Sequence, residues 1–232
     1  MFEIVGHRGA PGKAPENTLL SFERAIGIGV DWIELDVRMS RDGVLVVIHD
    51  ETVDRTTDGK GKVSDMSFDE LKKLDAGAGQ RIPSLQQAID LARDRVRMDI
   101  EIKEKGIEEG VVNTIVENGI ERQCMVSSFS YGSIKRAKEL YPALMTAAIM
   151  DRMPVDEERC FNALLDFDTR ILMLSKKIAV KPFIGEARRR GFAIGIWNAD
   201  TAAEIEGFAA MSPEYLCSNY PDLLVEFRHT HE

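Results

Sequence analysis

Short β-branched or apolar runs alternate with amphipathic helical stretches from one end of this chain to the other, and that alternation limits its fold more than any other feature. Strands joined through helices run parallel, so such a chain builds a parallel sheet covered by helices. The predicted strands are Ile4 to His7, Trp32 to Val37, Met98 to Lys103, Cys124 to Ser128, Met145 to Met150, Ile171 to Leu174, Phe192 to Trp197 and Tyr215 to Ser218. Eight such units within 232 residues fit a compact α/β fold, the (β/α)8 TIM barrel. No Gly/Ser-rich or Pro-rich linker divides the sequence and no internal repeat is visible, so residues 1–232 read as a single barrel domain.

The helices carry their own signals. Pro15-Glu16-Asn17-Thr18 supplies a turn and a polar cap before the stripe Leu19, Phe22, Ala25 and Ile26, which ends near Gly27 and Gly29. Ser84 caps a segment with Leu85, Ala88, Ile89 and Ala92, while Ile134, Ala137 and Tyr141 mark another. Residues 51–79, rich in Thr, Asp and Gly, read as a small insertion beside the barrel mouth, with a short helix through Phe68, Leu71 and Leu74. One apolar run, Val44 to Ile48, is left over. It lies too close to the second strand for a parallel crossover, and Asp42-Gly43 is a turn signal, so it returns antiparallel as a β-hairpin at the mouth. A two-residue loop sets Asp36 opposite His49; a bulged three-residue loop shifts the pairing by one. Either brings His49 beside Asp36.

Side chains alternate across a strand. In the second strand Ile33, Leu35 and Val37 share one face and Glu34, Asp36 and Arg38 the other, with same-face neighbours about 7 Å apart. The third repeats this, with Met98, Ile100 and Ile102 opposed to Asp99, Glu101 and Lys103. In a barrel the apolar parity packs on helices and the charged parity points inward near the C-terminal mouth, where barrel active sites lie. Glu34, Asp36 and Glu101 would repel one another unless a cation sat among them, and an all-oxygen set suits one hard divalent ion, Mg²⁺, Ca²⁺ or Mn²⁺. The chain has four histidines. His229 and His231 lie in a polar C-terminal tail, whereas His7-Arg8-Gly9 and His49-Asp50 close apolar runs, which leaves His7 and His49 as the credible acid/base pair. Arg8, a planar fork, and Lys103, a point charge, are natural counterparts of a bound anion. Two imidazoles, two cationic side chains and a divalent ion suit a phosphate diester: one imidazole takes a proton from the attacking oxygen, the other gives one to the leaving alcohol.

A net charge of −9 argues against a broad nucleic-acid surface. The chain opens on Met1-Phe2-Glu3-Ile4-Val5 without a leader pattern and holds no long apolar span, which reads as a soluble, cytoplasmic protein without a transmembrane segment. Cys124, Cys160 and Cys217 are widely spaced in apolar surroundings and read as buried free thiols.

Taken in order, His7-Arg8-Gly9, Pro15-Glu16-Asn17-Thr18, Glu34-Leu35-Asp36-Val37, Asp42-Gly43, His49-Asp50, Arg55-Thr56-Thr57-Asp58-Gly59, Ile82-Pro83-Ser84-Leu85 and Glu101-Ile102-Lys103 strongly resemble the glycerophosphodiester phosphodiesterase family. The match is dense over the first 105 residues, with weaker echoes at Val126-Ser127-Ser128-Phe129, Trp197-Asn198 and Tyr220-Pro221-Asp222. The resemblance implies a barrel enzyme of lipid and glycerol metabolism that hydrolyses small-molecule glycerophosphodiesters to an alcohol and sn-glycerol 3-phosphate with a divalent metal. By position it implies His7 and His49 as the acid/base pair, Glu34, Asp36 and Glu101 as metal ligands, and Arg8 and Lys103 as phosphate-binding groups. It also implies attack by the substrate's own glycerol hydroxyl to give a cyclic phosphate, with the individual acid and base left open. Trp197, at a strand end, reads either as a surface for the glycerol moiety or as core.

Two departures stand out. Where the family often reads Trp-Thr-Val-Asn this chain has Trp197-Asn198-Ala199-Asp200, and where Thr-Asp-Tyr-Pro is common it has Ser218-Asn219-Tyr220-Pro221. On sequence alone neither touches the metal or histidine set. Two other functions compete: a lysophospholipase D or cyclising phospholipase, which an exposed apolar rim drawn from residues 51–79 would favour, and a phosphoester-binding protein without turnover, which a missing ligand or histidine would support, and none is missing. Leaving alcohol, native metal and homo-oligomeric state stay open.

Overall fold

In the computed structural model, which describes residues 2–231, the alternation resolves into β1 (Glu3–Gly6), α1 (Leu19–Ile28), β2 (Trp32–Met39), β3 (Leu45–Val47), α2 (Phe68–Leu71), α3 (Leu85–Ala92), β4 (Arg97–Ile102), α4 (Glu108–Glu117), β5 (Cys124–Ser128), α5 (Tyr131–Leu140), β6 (Met145–Met150), α6 (Glu157–Asp166), β7 (Ile171–Ser175), α7 (Lys181–Arg189), β8 (Ala193–Trp197), α8 (Ala202–Ala209), β9 (Tyr215–Ser218) and α9 (Pro221–His231). All strands except β3 are parallel, and β1 pairs with both β9 and β2, which closes an eight-stranded (β/α)8 barrel. Each of the eight expected barrel strands is present, its ends displaced by no more than two residues.

The parity of each strand separates two cores. Outward residues such as Ile33, Leu35, Ile100, Val126, Leu172 and Ile196 pack with the helices, as Phe22 of α1 and Phe161 of α6 do. Each such fully buried side chain contributes about 1.5–3 kcal/mol. Inward residues Val5, Trp32, Met125, Ala147, Ile149, Met173 and Cys217 form a second cluster inside the barrel. At the N-terminal end, Trp32 closes the interior: its Nε1 donates to Glu3 Oε2 at 2.6 Å and Tyr215 packs edge-on against it. The Arg97 guanidinium lies 4.5 Å from the Trp32 ring and binds Glu3 Oε1 at 2.9 Å.

The helix signals act as expected. Thr18 accepts from Ser21 N to cap α1, Gly29 ends it, and Ser84 with Gln87 forms a reciprocal capping box on α3.

At the hairpin the three-residue loop is the one formed. β2 and β3 pair Val37 with Val47, Arg38 with Val46 and Met39 with Leu45, so Ile48, rather than His49, lies opposite Asp36 and donates its N–H to the Asp36 carbonyl at 2.9 Å. The reason is local: Ser40 and Gly43 close a turn through Gly43 N and Ser40 O, and Gly43 takes φ 81°, a left-handed conformation cheap only for glycine.

The 51–79 segment does not supply an apolar rim. Val53, Val63, Leu71 and Ala76 turn inward and pack with Val46, Ile48 and Ile82 as a small core of their own. Its helix is one turn, and Leu74 lies beyond its end. All three cysteines are free and buried. Among the described residues no helix is long and apolar enough to cross a membrane.

Candidate active site

β1 ends in a turn that aims two side chains at the mouth. Arg8 and Gly9 both have positive φ, 52° and 89°. Ser21 Oγ donates to the Arg8 carbonyl and accepts from Ala10 N, and it sits so close to Gly9 that a Cβ there would collide with it. Arg8 is therefore held in a conformation it would otherwise avoid, its N–H on Glu34 Oε2 at 2.8 Å. Its guanidinium lies 3.2 Å from Asp36 and 2.8 Å from Glu16.

β2 and β4 lie side by side with Asp36 next to Glu101 and Glu34 next to Asp99. The strand parity thus delivers Glu34, Asp36 and Glu101 to one place, each offering an oxygen within 4.8 Å of the others. Asn17 Nδ2 donates to Asp36 Oδ2 at 2.7 Å, and Lys103 Nζ reaches Glu101 at 2.6 Å and Asp36 at 3.3 Å. Burial first, and then the Asp36 charge, raises Glu34 well above the usual carboxylate range and Glu101 to about 8. Burial also pushes Asp36 upward, but Lys103, Arg8 and His49 outweigh it and leave Asp36 below its ordinary value. Asp99, deeper in the barrel, is raised to about 7 by burial and Asp36. Glu34 Oε1 is buried without a hydrogen-bond partner. Three converging carboxylates, of which Asp36 as well as Glu34 has a buried oxygen without a hydrogen-bond partner, fit a hard divalent cation.

The two histidines are anchored differently. His7 Nδ1 lies 2.7 Å from Asn219 Oδ1 and 3.0 Å from Asn198 Nδ2, and its Nε2 faces Glu34 Oε2 at 4.0 Å. Burial, followed by the Arg8 charge, lowers His7 to about 4. His49 Nδ1 instead meets the Asp50 carboxylate at 2.6 Å. Its pKa is also lowered, by burial and Lys103, against the opposing pull of Asp36 and Asp50. Arg38 Nε donates to the His49 carbonyl at 2.9 Å and fixes the backbone there. Arg55 joins the two sides: Nε and Nη2 bind Asp50, while Nη1 and Nη2 bind Glu16, the carboxylate that also holds Arg8. Those bonds from Arg55, with His49 adding to them, hold Asp50 far below the usual carboxylate range.

These groups gather on one side of a cavity that opens at the C-terminal end of the barrel. The opposite side is Phe129, Ile149, Met173, Trp197 and Cys217. Trp197 Nε1 donates to the Met173 carbonyl and the indole meets Phe129 edge-on at 6.0 Å, so Trp197 is a fixed wall of the cavity rather than core. Lys103 Nζ lies 5.7 Å from the Phe129 ring.

His7, Arg8, Glu34, His49, Glu101, Lys103 and Trp197 all face this cavity, and Asp36 lies wholly buried beside it. Sequence reasoning did not assign Glu16, Asn17, Asp50, Arg55, Phe129, Asn198 or Asn219 to the site. Glu16, Asn17, Asp50 and Arg55 stand inside the densely matched motifs and Phe129 and Asn198 inside the weaker ones, and Asp50 follows His49 directly, which is the available signal. The expectation that the two C-terminal departures leave the histidines alone is overturned: Asn198 and Asn219 both contact His7. Strands β1, β8 and β9 are neighbours across the closure, a proximity that sequence separation conceals.

Residues 7–223 match the Glycerophosphoryl diester phosphodiesterase family. A glycerophosphodiester phosphodiesterase of Caldanaerobacter subterraneus subsp. tengcongensis is 33% identical over 235 residues, covering 96% of both chains. The crystal structure of glycerophosphodiester phosphodiesterase from Agrobacterium tumefaciens superposes with a TM-score of 0.85 at 30% identity, covering 97% of this chain and 100% of that one. A phosphodiesterase of Oleispira antarctica, solved in complex with the product sn-glycerol 3-phosphate, gives a TM-score of 0.85 at 28% identity over 95% of this chain and 94% of that one.

Proposed function

The chain belongs to the glycerophosphoryl diester phosphodiesterase family, and from that premise we propose that residues 1–232 act as one barrel domain hydrolysing glycerophosphodiesters to an alcohol and sn-glycerol 3-phosphate by paired histidine catalysis. The observation that carries this reading is the meeting of two imidazoles, two cationic side chains and three carboxylates on one side of a single cavity. Glu34, Asp36 and Glu101 would hold a divalent cation, Mg²⁺ or Ca²⁺ or, as a third candidate, Mn²⁺. Such an ion supplies Lewis-acid stabilisation of charge on the phosphoryl oxygens. Arg8 and Lys103 hold the phosphate and keep a positive field over it as charge develops.

His7, neutral with its Nδ1 on an amide, presents Nε2 to take the proton of the attacking hydroxyl. His49, whose Nδ1 rests on a carboxylate that supports an imidazolium, gives the proton to the departing alcohol. When the attacker is the substrate's own glycerol hydroxyl, the first product is a cyclic phosphate, and the two histidines exchange roles as water opens it.

Glycerophosphocholine with coupled detection of sn-glycerol 3-phosphate tests this. Turnover should vanish in chelator and return on adding back a divalent ion, and His7→Ala and His49→Ala should each lose about 10²–10⁴-fold in kcat. Full activity in chelator, or in both variants, overturns the proposal. Cyclic phosphate should accumulate transiently in ³¹P spectra.

One observation favours a second substrate class. Phe129, Met153, Val155 and Val180, exposed by 45%, 41%, 108% and 45%, stand on the loops that follow β5, β6 and β7. Apolar groups on the mouth loops suit a diester whose glycerol carries an acyl chain and whose leaving alcohol is small and polar, the substrate class of a lysophospholipase D. A kcat/KM for lysophosphatidylcholine above that for glycerophosphocholine would select it.

A further inference from the structure

The two C-terminal departures from the family pattern meet each other. Asp200, which ends the first, accepts from Asn219 Nδ2 at 2.7 Å, from Asn219 N at 2.8 Å and from Ser218 Oγ at 3.0 Å. Asn219, in the second, reaches His7 with its other amide atom. Relative to the family pattern, Asn at the first position and Asp at the second, the carboxylate and the amide have changed places. The net count of charges is the same, but the carboxylate stands one residue farther from the imidazole.

The orientation of Asn219 follows from chemistry. An amide's oxygen and nitrogen differ only by a half-turn and are told apart by their partners. Asp200 Oδ2 only accepts, so the Asn219 atom facing it is the NH₂ group, and Oδ1 faces His7. At 2.7 Å from an amide oxygen, His7 Nδ1 must donate, because an unprotonated nitrogen would set one lone pair against another. Nδ1 therefore carries the hydrogen and Nε2 carries the lone pair that faces the cavity. Asn198 agrees with this: its Oδ1 is buried without a partner while its Nδ2 lies 3.0 Å from the same His7 nitrogen, and a half-turn of that amide gives the Nδ1 hydrogen a second acceptor.

We propose that Asp200 and Asn219 are a positioning pair for His7: Asp200 locks the Asn219 amide, and the locked amide holds His7 in its Nδ1–H tautomer with Nε2 turned to the substrate. The pair does not touch the reacting atoms and acts through the imidazole. The inference rests on the proposed role of His7 as proton acceptor, but its structural half can be read without turnover.

The test combines ¹⁵N-imidazole NMR at pH 8 with glycerophosphocholine kinetics on wild type, Asn219→Ala, Asp200→Asn, Asn219→Asp and the exchange variant Asp200→Asn/Asn219→Asp. Wild-type His7 should show a pyrrole-type Nδ1 and a pyridine-type Nε2. Asn219→Ala and Asp200→Asn should populate the other tautomer and lose roughly 10–100-fold in kcat with little change in KM. Asn219→Asp sets two carboxylates face to face and should lose at least as much. The exchange variant restores donor to acceptor at both links, so it should regain most of the lost kcat and the wild-type tautomer. An Nε2–H tautomer in the wild type overturns the inference, as does an Asn219→Ala enzyme as fast as wild type or an exchange variant no better than the worse single one. Absence of turnover in the wild type would count against the family function, while the NMR result would still decide the tautomer.

Discussion

The inner wall of the barrel has two halves built on opposite principles. From the end of β1 through β4 it carries His7, Glu34, Asp36, Asp99, Glu101 and Lys103; from β6 through β9 it carries Ala147, Ile149, Met173, Trp197 and Cys217. The charged half is held by directed bonds spanning the sequence, such as Asn17 to Asp36 and Arg55 to both Glu16 and Asp50. The apolar half is held mainly by packing, joined by one directed bond from Trp197 Nε1 to the Met173 carbonyl. Buried like charges cost folding energy and repay it only when a partner is bound, whereas buried methionine and isoleucine stabilise the fold with or without one. The contrast teaches where reactivity and tolerance should lie: substitutions in the first half should change rate, and those in the second should change selectivity or stability.

The largest effect should come from the carboxylates. Asp36→Asn should lower kcat by roughly 10²–10³-fold while leaving the fold intact. Glu101 gives the same comparison in stability. Its folded pKa of about 8 lies above its ordinary value of 4.5, so between those limits the folded chain holds a proton that the unfolded chain has released, and stability falls as pH rises. His7, lowered to about 4 from 6.5, acts in the opposite sense, but only below pH 6.5. In chelator, Tm should therefore drop between pH 6.5 and 8, Glu101→Gln should reduce that slope while Glu34, also raised, keeps part of it, and Mg²⁺ should abolish it. A chelated wild type whose Tm rises across this window would break the contrast between the halves.

A middle effect is expected at Arg55. Arg55→Ala frees both Asp50 and Glu16 and should lower kcat roughly tenfold to hundredfold. Arg55→Lys should not rescue it, since an ammonium lacks the fork that serves two carboxylates, but added guanidinium should restore part of the rate. Unchanged kinetics would confine the charged half to its inner shell. The smallest effect belongs to Phe129→Ala, with KM raised less than about tenfold, most for bulky leaving alcohols, and kcat nearly unchanged. A kcat loss equal to that of Arg55→Ala would erase the distinction.

The sequence exposed these halves unequally. In β2 and β4 charged and apolar residues alternate, so parity alone identified Glu34, Asp36, Glu101 and Lys103 as inward groups. β7, Ile-Leu-Met-Leu-Ser, is buried on both faces, and no pattern separates Met173 inside from Leu172 outside. The hairpin register depended on whether Gly43 took the left-handed conformation, a choice within one turn. Asp200 and Asn219 could be seen to differ from the family pattern, but their joint action on His7 requires the closure of β9 onto β1. Local alternation is legible in a sequence; contacts across a ring closure are not.

Trp32, Glu3, Arg97 and Tyr215 stop the barrel at its base, which leaves the cavity with one door. Traffic through a blind chamber is sequential: a molecule lying nearer the floor cannot depart until whatever stands between it and the opening has gone. The order of release should then follow from the way the substrate enters, with the fragment that points outward at binding the first to leave, an order that product-inhibition patterns would read.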